Sequence, residues 1–354
     1  MPNLRKRQAE THIPEDISQM VADGELDCDI IRVESEHSAM SACIGASATG
    51  VRTCTSSSSQ GLALMHEVLF IAAGMRLPIV MTVANRALSA PISIWNDQQD
   101  SISERDSGWI QLYCENAQET FDTHIQAFKI AEEIGLPVMV CVDGFLVTHT
   151  YEPVEFLPEE KVKKFLPDYK PKLFLNPAKP VTQGALATPE HYMEFRKQLQ
   201  DAVNGSLEIV RKVNREYHAV SGRLYGDGLL ENVSMRGKKH ALITFGSVAG
   251  TARPLLEKAG VGMIRLKCFR PFPGEDLLKA LEGIESVGVL EKDISLGANG
   301  ALYDEVRSIL HSAGRKTAVS SFIAGLGGRD ITLDMMEGVL KKIREGREVT
   351  EWLM

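Results

Sequence analysis

The sequence predicts an α/β protein made of two domains, each with a mostly parallel sheet, and three observations support this fold class. Apolar runs typical of buried strands alternate with amphipathic stretches along the chain. The length of 354 residues exceeds one ordinary hydrophobic core. The alternation is interrupted by a proline-rich stretch at 151–187 and a polar stretch at 221–232. We therefore predict a larger, doubly wound domain at 1–225 and a smaller one at 235–354.

The first domain carries the clearest periodic patterns. Helices are predicted over 35–50, 56–75 and 117–135, and strands over 51–55, 77–85 and 136–144. A long helix begins at Pro189, after the capping residue Thr188, and continues to about Val220. The serines that open the second helix favour helix capping over an anion site.

Two further segments complete the predicted architecture. Residues 151–187 contain six of the 15 prolines, mixed with Lys and Glu, which excludes a central strand or a long helix. We expect an extended arm that covers this domain or a neighbouring subunit. The stretch 221–232 is the best linker. The second domain repeats the alternation as a four-stranded unit, with strands predicted over 240–247, 261–273, 285–293 and 316–325.

Composition limits the possible functions. A formal net charge of −8 argues against nucleic acid or an anionic membrane surface as the main partner. No apolar run reaches the length of a membrane span and no secretory signal precedes the first domain, so we expect a cytoplasmic protein. The cysteines lack zinc or iron–sulfur spacing and are expected to be reduced and mostly buried. Any iron–sulfur cluster should therefore lie on another chain, and we predict no metal site on this one.

Two charged residues carry the functional signal. Glu36 opens a helix dense in small residues, and Arg86 directly follows a predicted buried strand. Since the carboxyl ends of parallel strands meet at one edge of a sheet, the two side chains can converge on a single cleft. Such a pair suits an anionic, carbonyl-bearing substrate beside a cofactor that needs a proton-accepting partner. The alternative is a helix-capping carboxylate and an ordinary salt-bridged arginine.

Three other motifs favour structural interpretations. The polar cluster Asn96–Asp100 suggests a solvated loop or an interface more than a metal or cofactor contact. The GLGGRD turn at 325–330 lacks the spacing of a dinucleotide site. In GDGLLEN, at 226–232, Asn232 follows Asp227 too closely for the diphosphate motif of thiamine enzymes, so this segment is interpreted as linker.

Several segments nevertheless resemble the alpha subunit of multi-subunit pyruvate:ferredoxin oxidoreductases, or pyruvate synthases. The resemblance is carried by VESEHSAMSACIGASATG, TSSSSQGLALMHEVLFIAAGMRLPIV, NRALSAPISIWNDQQD and RDSGWIQLYCENAQE, and in the second domain by LITFGS, IRLKCFRPFP and FIAGLGGRDIT. It covers roughly residues 11–354. It implies a pyrimidine-binding thiamine diphosphate domain followed by a transketolase-C-like domain. The implied reaction is the reversible oxidative decarboxylation of pyruvate to acetyl-CoA and carbon dioxide, with reduction of ferredoxin.

The same resemblance assigns roles to the two site residues. Glu36 matches the glutamate that hydrogen-bonds the aminopyrimidine ring nitrogen of thiamine diphosphate and thereby promotes loss of the thiazolium C2 proton. Arg86 matches the arginine that faces the carboxylate of the 2-oxoacid, for which a planar, permanently charged guanidinium is suited.

The resemblance also implies a heterotetramer of anaerobic metabolism. A beta subunit would share thiamine diphosphate and Mg²⁺ with this chain, a delta subunit would carry [4Fe–4S] clusters, and a gamma subunit would complete the complex. Coenzyme A is the implied co-substrate and ferredoxin the implied electron acceptor.

One segment departs from the family pattern. A Tyr-Pro-Ile-Thr-Pro motif, whose threonine helps to bind the substrate, would fall on RKRQA at 5–9, which does not match. We therefore expect the first strand and this threonine to be missing, through a late start assignment or a shortened paralogue, and a missing strand should leave an open sheet edge. Two alternatives follow: the same chemistry on 2-oxoglutarate or a branched-chain 2-oxoacid, and a non-catalytic structural subunit.

Overall fold

The structure is a computed structural model that describes residues 9–354, with side chains from residue 15 onward. Most of the segment at 5–9, where the threonine motif was sought, lies outside the described residues. The helices are α1 (Ala9–Ala22), α2 (Glu36–Ala48), α3 (Ser59–Leu64), α4 (His66–Gly74), α5 (Gln99–Ser103), α6 (Ala117–Ile134), α7 (Glu159–Phe165), α8 (Pro189–Ser221), α9 (Val248–Ala252), α10 (Leu256–Ala259), α11 (Gly274–Ala280), α12 (Ala301–Ser312) and α13 (Leu333–Glu345).

The strands form two sheets. They are β1 (Thr53–Ser57), β2 (Ile79–Asn85), β3 (Ile110–Tyr113), β4 (Val138–Asp143), β5 (Leu230–Val233), β6 (His240–Thr244), β7 (Gly262–Leu266), β8 (Cys268–Arg270), β9 (Ser286–Glu291), β10 (Ala318–Ile323) and β11 (Thr350–Trp352). The first sheet has the order β1-β2-β4-β3-β8, and the second has the order β11-β10-β9-β6-β7-β5. Each sheet is mostly parallel, with one antiparallel pair, β3 with β8 and β5 with β7. The predicted fold class is therefore confirmed.

The first sheet is organised around β2 and β4, which pair in parallel. Every residue of β4 and all but one of β2 are buried, as expected for central strands covered by helices on both faces. The two edge strands of this sheet are β1 and β8. Among the strands of residues 9–354, β1 pairs only with β2. One edge of this sheet therefore has no strand beside it in the described part of the chain.

The second sheet corrects two sequence predictions. Its core of β6, β7, β9 and β10 was expected, but the structure adds the edge strands β5 and β11, and β5 begins within the stretch interpreted as linker. The run at 261–273, predicted as one strand, divides into β7 in the second sheet and β8 in the first. The apolar pattern is continuous because both strands are buried, and only the packing of the two sheets separates them.

Two other segments refine the prediction for the first domain. The helix predicted over 56–75 is broken at Met65 into α3 and α4. The segment 151–187 holds only the short helix α7 and otherwise follows the domain surface. There the N–H of Leu175 donates to the carbonyl of Ala48 at 2.8 Å, and the buried Phe165 packs edge-on against Tyr217. The predicted arm therefore lies on its own domain.

The cysteines and the membrane prediction can be compared with the structure. All six thiols are free; Cys114, Cys141 and Cys268 are buried, Cys43 is half-buried, and Cys28 and Cys54 are exposed. The expectation of mostly buried thiols thus holds for half of them. Across the described chain, no helix combines the length and apolarity needed to cross a membrane.

Candidate active site at the carboxyl edge of the first sheet

Glu36 is the first residue of α2 and lies at the surface of the chain. The helix is capped by Ser35, whose hydroxyl accepts a hydrogen bond from the N–H of Ser38 at 3.3 Å. Glu36 is exposed, and within residues 15–354 its carboxylate has no hydrogen bond or ion pair. The helix is therefore capped by the serine, which leaves the glutamate available for a ligand.

The Glu36 side chain lies against a glycine of α3. A Cβ atom at Gly61 would be 2.8 Å from Cγ of Glu36 and 2.9 Å from Oγ of Ser57. Any larger residue at this position would therefore displace one of the two polar side chains. Ser57 is the last residue of β1, and its buried hydroxyl has no hydrogen-bond partner in the described structure. A carboxylate and a hydroxyl thus lie side by side with no partner inside this chain.

Arg86 directly follows β2 and is half-buried. Its Nε donates to Oγ of Ser58 at 2.9 Å, and Nη2 donates to the same oxygen. Ser57, which lies beside Glu36, and Ser58, which holds Arg86, are consecutive residues at the carboxyl end of β1, so the two candidate residues lie at the same edge of the sheet. This contact also corrects the capping interpretation: Ser58 occupies the N-cap position of α3, but its hydroxyl makes no capping hydrogen bond.

Asp100 joins this site, although sequence reasoning did not single it out. It is 1% exposed and accepts hydrogen bonds from the N–H groups of Ser59 and Arg86, each at 2.9 Å. Burial raises the pKa of Asp100 to about 7, against the lowering effect of its hydrogen bonds. A carboxylate therefore links the start of α3 to the residue that follows β2.

The segment 96–100, which leads into α5 and contains Asp100, lies at the contact between the two sheets. Lys292 donates from Nζ to Asp143 at 2.5 Å and to Asn96 at 2.6 Å, and all three side chains are almost fully buried. The N–H of Gly327 donates to Asp97 at 3.0 Å. The interpretation of 96–100 as a solvated loop is therefore wrong, whereas its alternative, an interface, is confirmed. The GLGGRD turn forms part of this interface.

The remaining motif and a cleft between the domains lie away from Glu36 and Arg86. In GDGLLEN, Asp227 accepts from the N–H groups of Leu229 and Leu230, which closes a turn before β5. A cleft of about 770 Å³ opens between the two domains, bounded by Val147, Lys292 and Ile331 among others, and neither candidate residue lines it. Neither feature adds to the candidate site.

A second polar region connects the domains and is called here the ion cluster. Glu119 of α6 pairs with Arg265 of β7 and with Lys267, each at 2.8 Å, and all three side chains are at most 2% exposed. Burial alone would raise the pKa of Glu119, but the two cations outweigh it and lower the pKa to about 2. The other members of the ion cluster are Glu115, Glu231 and Arg253.

The site and the fold together define a class of protein. The site lies at the carboxyl edge of a parallel sheet, where α/β proteins bind ligands. A family model described as pyruvate flavodoxin/ferredoxin oxidoreductase, thiamine diphosphate-binding, matches residues 10–215, and one described as pyruvate:ferredoxin oxidoreductase core domain II matches residues 239–336. The class is that of α/β proteins with a thiamine diphosphate-binding domain.

Individual relatives identify the family. The pyruvate synthase subunit PorA of Methanocaldococcus jannaschii is 52% identical over 96% of this chain and 88% of its own length. PorA of Pyrococcus abyssi is 47% identical, over 96% of this chain and 87% of its own. The ketoisovalerate oxidoreductase subunit VorA of P. abyssi is 44% identical, over 97% of this chain and 90% of its own length. The chain belongs to the family of pyruvate:ferredoxin oxidoreductase alpha subunits, which includes PorA.

A solved structure agrees on the fold. It is a 2-oxoglutarate:ferredoxin oxidoreductase from Magnetococcus marinus with 2-oxoglutarate, coenzyme A and succinyl-CoA bound, and the match has a TM-score of 0.65 at 18% identity. The match covers 94% of this chain but only 60% of that one. At this identity the likeness supports the two-domain architecture alone.

Proposed function

We propose that this chain acts within a complex that oxidatively decarboxylates pyruvate to acetyl-CoA and carbon dioxide and reduces ferredoxin, in a reversible reaction. The observation that supports a catalytic role is the convergence of Glu36 and Arg86 at the carboxyl end of β1. Among the relatives, identity to PorA reaches 52%, against 44% for VorA, which favours pyruvate over a branched-chain 2-oxoacid.

The side chains around Glu36 fit the pyrimidine part of thiamine diphosphate. The orphaned hydroxyl of Ser57 and the carboxylate of Glu36 both lack a partner within the described chain, and the absence of a side chain at Gly61 lets the two lie close together. Glu36 would hold the aminopyrimidine ring through a shared proton between its carboxylate and the ring nitrogen. When bound, thiamine diphosphate supplies the carbanion stabilisation that decarboxylation of a 2-oxoacid needs.

Arg86 would bind the substrate. Its guanidinium is held at the sheet edge by Ser58, beside the position proposed for the cofactor ring. A planar, permanently charged fork recognises a carboxylate by paired hydrogen bonds, so Arg86 would orient a 2-oxoacid rather than a neutral ketone.

The finer organisation of the complex is also a proposal. We infer from the family that a beta subunit shares thiamine diphosphate and Mg²⁺ with this chain, that delta and gamma subunits complete the assembly, and that the [4Fe–4S] clusters lie on partner chains. Coenzyme A is the proposed acyl acceptor and the cytoplasm the proposed location. The domain division at 1–225 and 235–354 is supported by one family match in each part.

The test is reconstitution of the complex with its beta, gamma and delta subunits, thiamine diphosphate and Mg²⁺. We expect coenzyme A-dependent ferredoxin reduction with pyruvate, with kcat/KM at least about tenfold above that for 2-oxoglutarate or ketoisovalerate. A higher kcat/KM for 2-oxoglutarate or ketoisovalerate than for pyruvate would show that pyruvate is not the preferred substrate. An assembled complex with no turnover on any 2-oxoacid would favour the alternative of a structural subunit.

A further inference from the structure

We propose that Asp100 is a positioning residue for the 2-oxoacid: it holds the backbone from which Arg86 reaches the substrate carboxylate. The inference rests on the substrate-binding role proposed above for Arg86. Asp100 itself is buried behind the sheet edge and would not contact the substrate.

One oxygen of Asp100 connects both supports of the arginine. Its Oδ2 accepts from the N–H of Arg86 and from the N–H of Ser59, each at 2.9 Å. Ser59 follows Ser58, whose hydroxyl accepts two hydrogen bonds from the Arg86 guanidinium. A single oxygen atom therefore fixes the backbone N–H of Arg86. Through Ser59, it also fixes the neighbouring Ser58, whose hydroxyl orients the guanidinium.

The other oxygen anchors the carboxylate to β2 and α5. Oδ1 accepts from Nδ2 of Asn85 at 2.7 Å and from the N–H of Ser101 at 2.8 Å. Because four N–H groups point at the two oxygens, a carboxylate can satisfy all of them. An asparagine cannot, since its amide nitrogen would face N–H donors on one side.

The first experiment compares Asp100→Asn with Asp97→Asn in the reconstituted complex. Asp97 is a matched control because it lies three residues earlier, just before α5, and is equally buried. It accepts from Gln99 and Gly327 and has no hydrogen bond to Arg86. We expect Asp100→Asn to raise KM for pyruvate about 10- to 100-fold, with a smaller change in kcat. Asp97→Asn should change KM by less than about twofold. Equal KM values for the two variants would overturn the proposal.

A reciprocal exchange separates positioning from general destabilisation. In the double variant Asn85→Asp, Asp100→Asn, the new amide nitrogen can donate to the new carboxylate while its oxygen accepts from Ser59 and Arg86. Of the four donors, only the N–H of Ser101, which does not support Arg86, loses its acceptor. We expect KM to return to within about threefold of the original value. If Asp100→Asn alone does not assemble, the double variant still decides, because an assembled complex whose KM stays raised contradicts the proposal.

Arg86→Lys distinguishes failure of the proposal from failure of the proposed function. If Arg86→Lys raises KM and Asp100→Asn does not, Arg86 binds the substrate but Asp100 does not position it. If neither changes KM while the complex turns over pyruvate, the role proposed for Arg86 is itself wrong.

Discussion

The ion cluster and the Glu36 edge of the first sheet are both rich in polar side chains, but they differ in where their partners lie. In the ion cluster, Glu119, Arg265 and Lys267 are buried and pair with one another across the two domains. At the sheet edge, Glu36 and the Ser57 hydroxyl have no partner within residues 15–354. Polar groups that satisfy each other hold the fold, whereas polar groups without a partner in their own chain are candidates for contact with a ligand.

The largest effect on activity is expected from a substitution at Glu36. Glu36→Gln should abolish pyruvate-dependent dye reduction by the reconstituted complex, a fall of about 10²- to 10⁴-fold, because the amide cannot share a proton with the cofactor ring in the same way. Assembly and the thermal midpoint should be unchanged, since no contact within the described chain is lost. The control is Glu34→Gln, which alters an exposed carboxylate two residues earlier that accepts from Ser38. Full activity in Glu36→Gln would disprove the assigned role.

A substitution in the ion cluster should lower stability and leave activity intact, which is the opposite of the effect expected for Glu36→Gln. Glu119→Gln leaves Arg265 and Lys267 buried without their shared carboxylate and should destabilise the chain by about 3–5 kcal/mol. The measurement is the thermal unfolding midpoint of the complex, together with activity per assembled complex, which should persist. Glu337→Gln is the control, since its pair with Lys258 is exposed and should shift the midpoint little. Equal shifts in the two variants would contradict the distinction.

The stability that Glu119 contributes should change with pH in a defined direction. The pKa of Glu119 is lowered from its ordinary value of 4.5 to about 2, so the ionised form is favoured by folding. Its stabilising contribution is present above the ordinary pKa and is lost as pH falls through the folded pKa. The gap in thermal midpoint between the original protein and Glu119→Gln should therefore stay constant above pH 5 and narrow between about pH 4.5 and 2. A gap that widens on acidification would refute the assignment.

A smaller effect is expected from methyl groups added at two helical glycines. Gly61→Ala places a Cβ 2.8 Å from Cγ of Glu36 and should weaken apparent thiamine diphosphate affinity about tenfold by displacing that side chain. Gly45→Ala in α2 meets no atom within 4 Å and should stabilise the helix by about 0.5–1 kcal/mol. Cofactor titration of both variants measures the contrast, and equal affinities would show that Gly61 is not part of the site.

Sequence reasoning proposed Glu36 and Arg86 as the two ends of the candidate site but did not single out Asp100. Glu36 and Arg86 were placed together because parallel strands share a carboxyl edge, and the structure places them beside two consecutive serines, Ser57 of β1 and the N-cap residue Ser58 of α3. Asp100 lay in a polar cluster for which a solvated loop or an interface was predicted, without a role for Asp100 itself. The signal that could have found it is the run of amide and carboxylate side chains at 96–100, which comes after a buried strand. Such side chains need hydrogen-bond partners when the second domain covers them.

The capping serines show why local rules stop short. A serine before a helix ordinarily accepts from the helix's own N–H groups. Here the Ser58 hydroxyl accepts from Arg86, which is 28 residues away, and the N–H of Ser59 donates to Asp100 at a separation of 41 residues. A helix near these serines was predicted from neighbouring residues, but it begins at Ser59 rather than at residue 56, and its hydrogen-bond partners were not predictable.

What the sequence by itself determined is the alternation of buried strands and helices, because backbone periodicity is a local property. The end of α6 at Gly135, in a left-handed conformation that favours glycine, is one such local feature. The tertiary structure alone decided which polar residues are buried and with whom they pair. It joined Asp143 to Lys292 and Glu119 to Arg265, at separations of 149 and 146 residues, because a buried charge is stabilised only by the partner that packing brings to it.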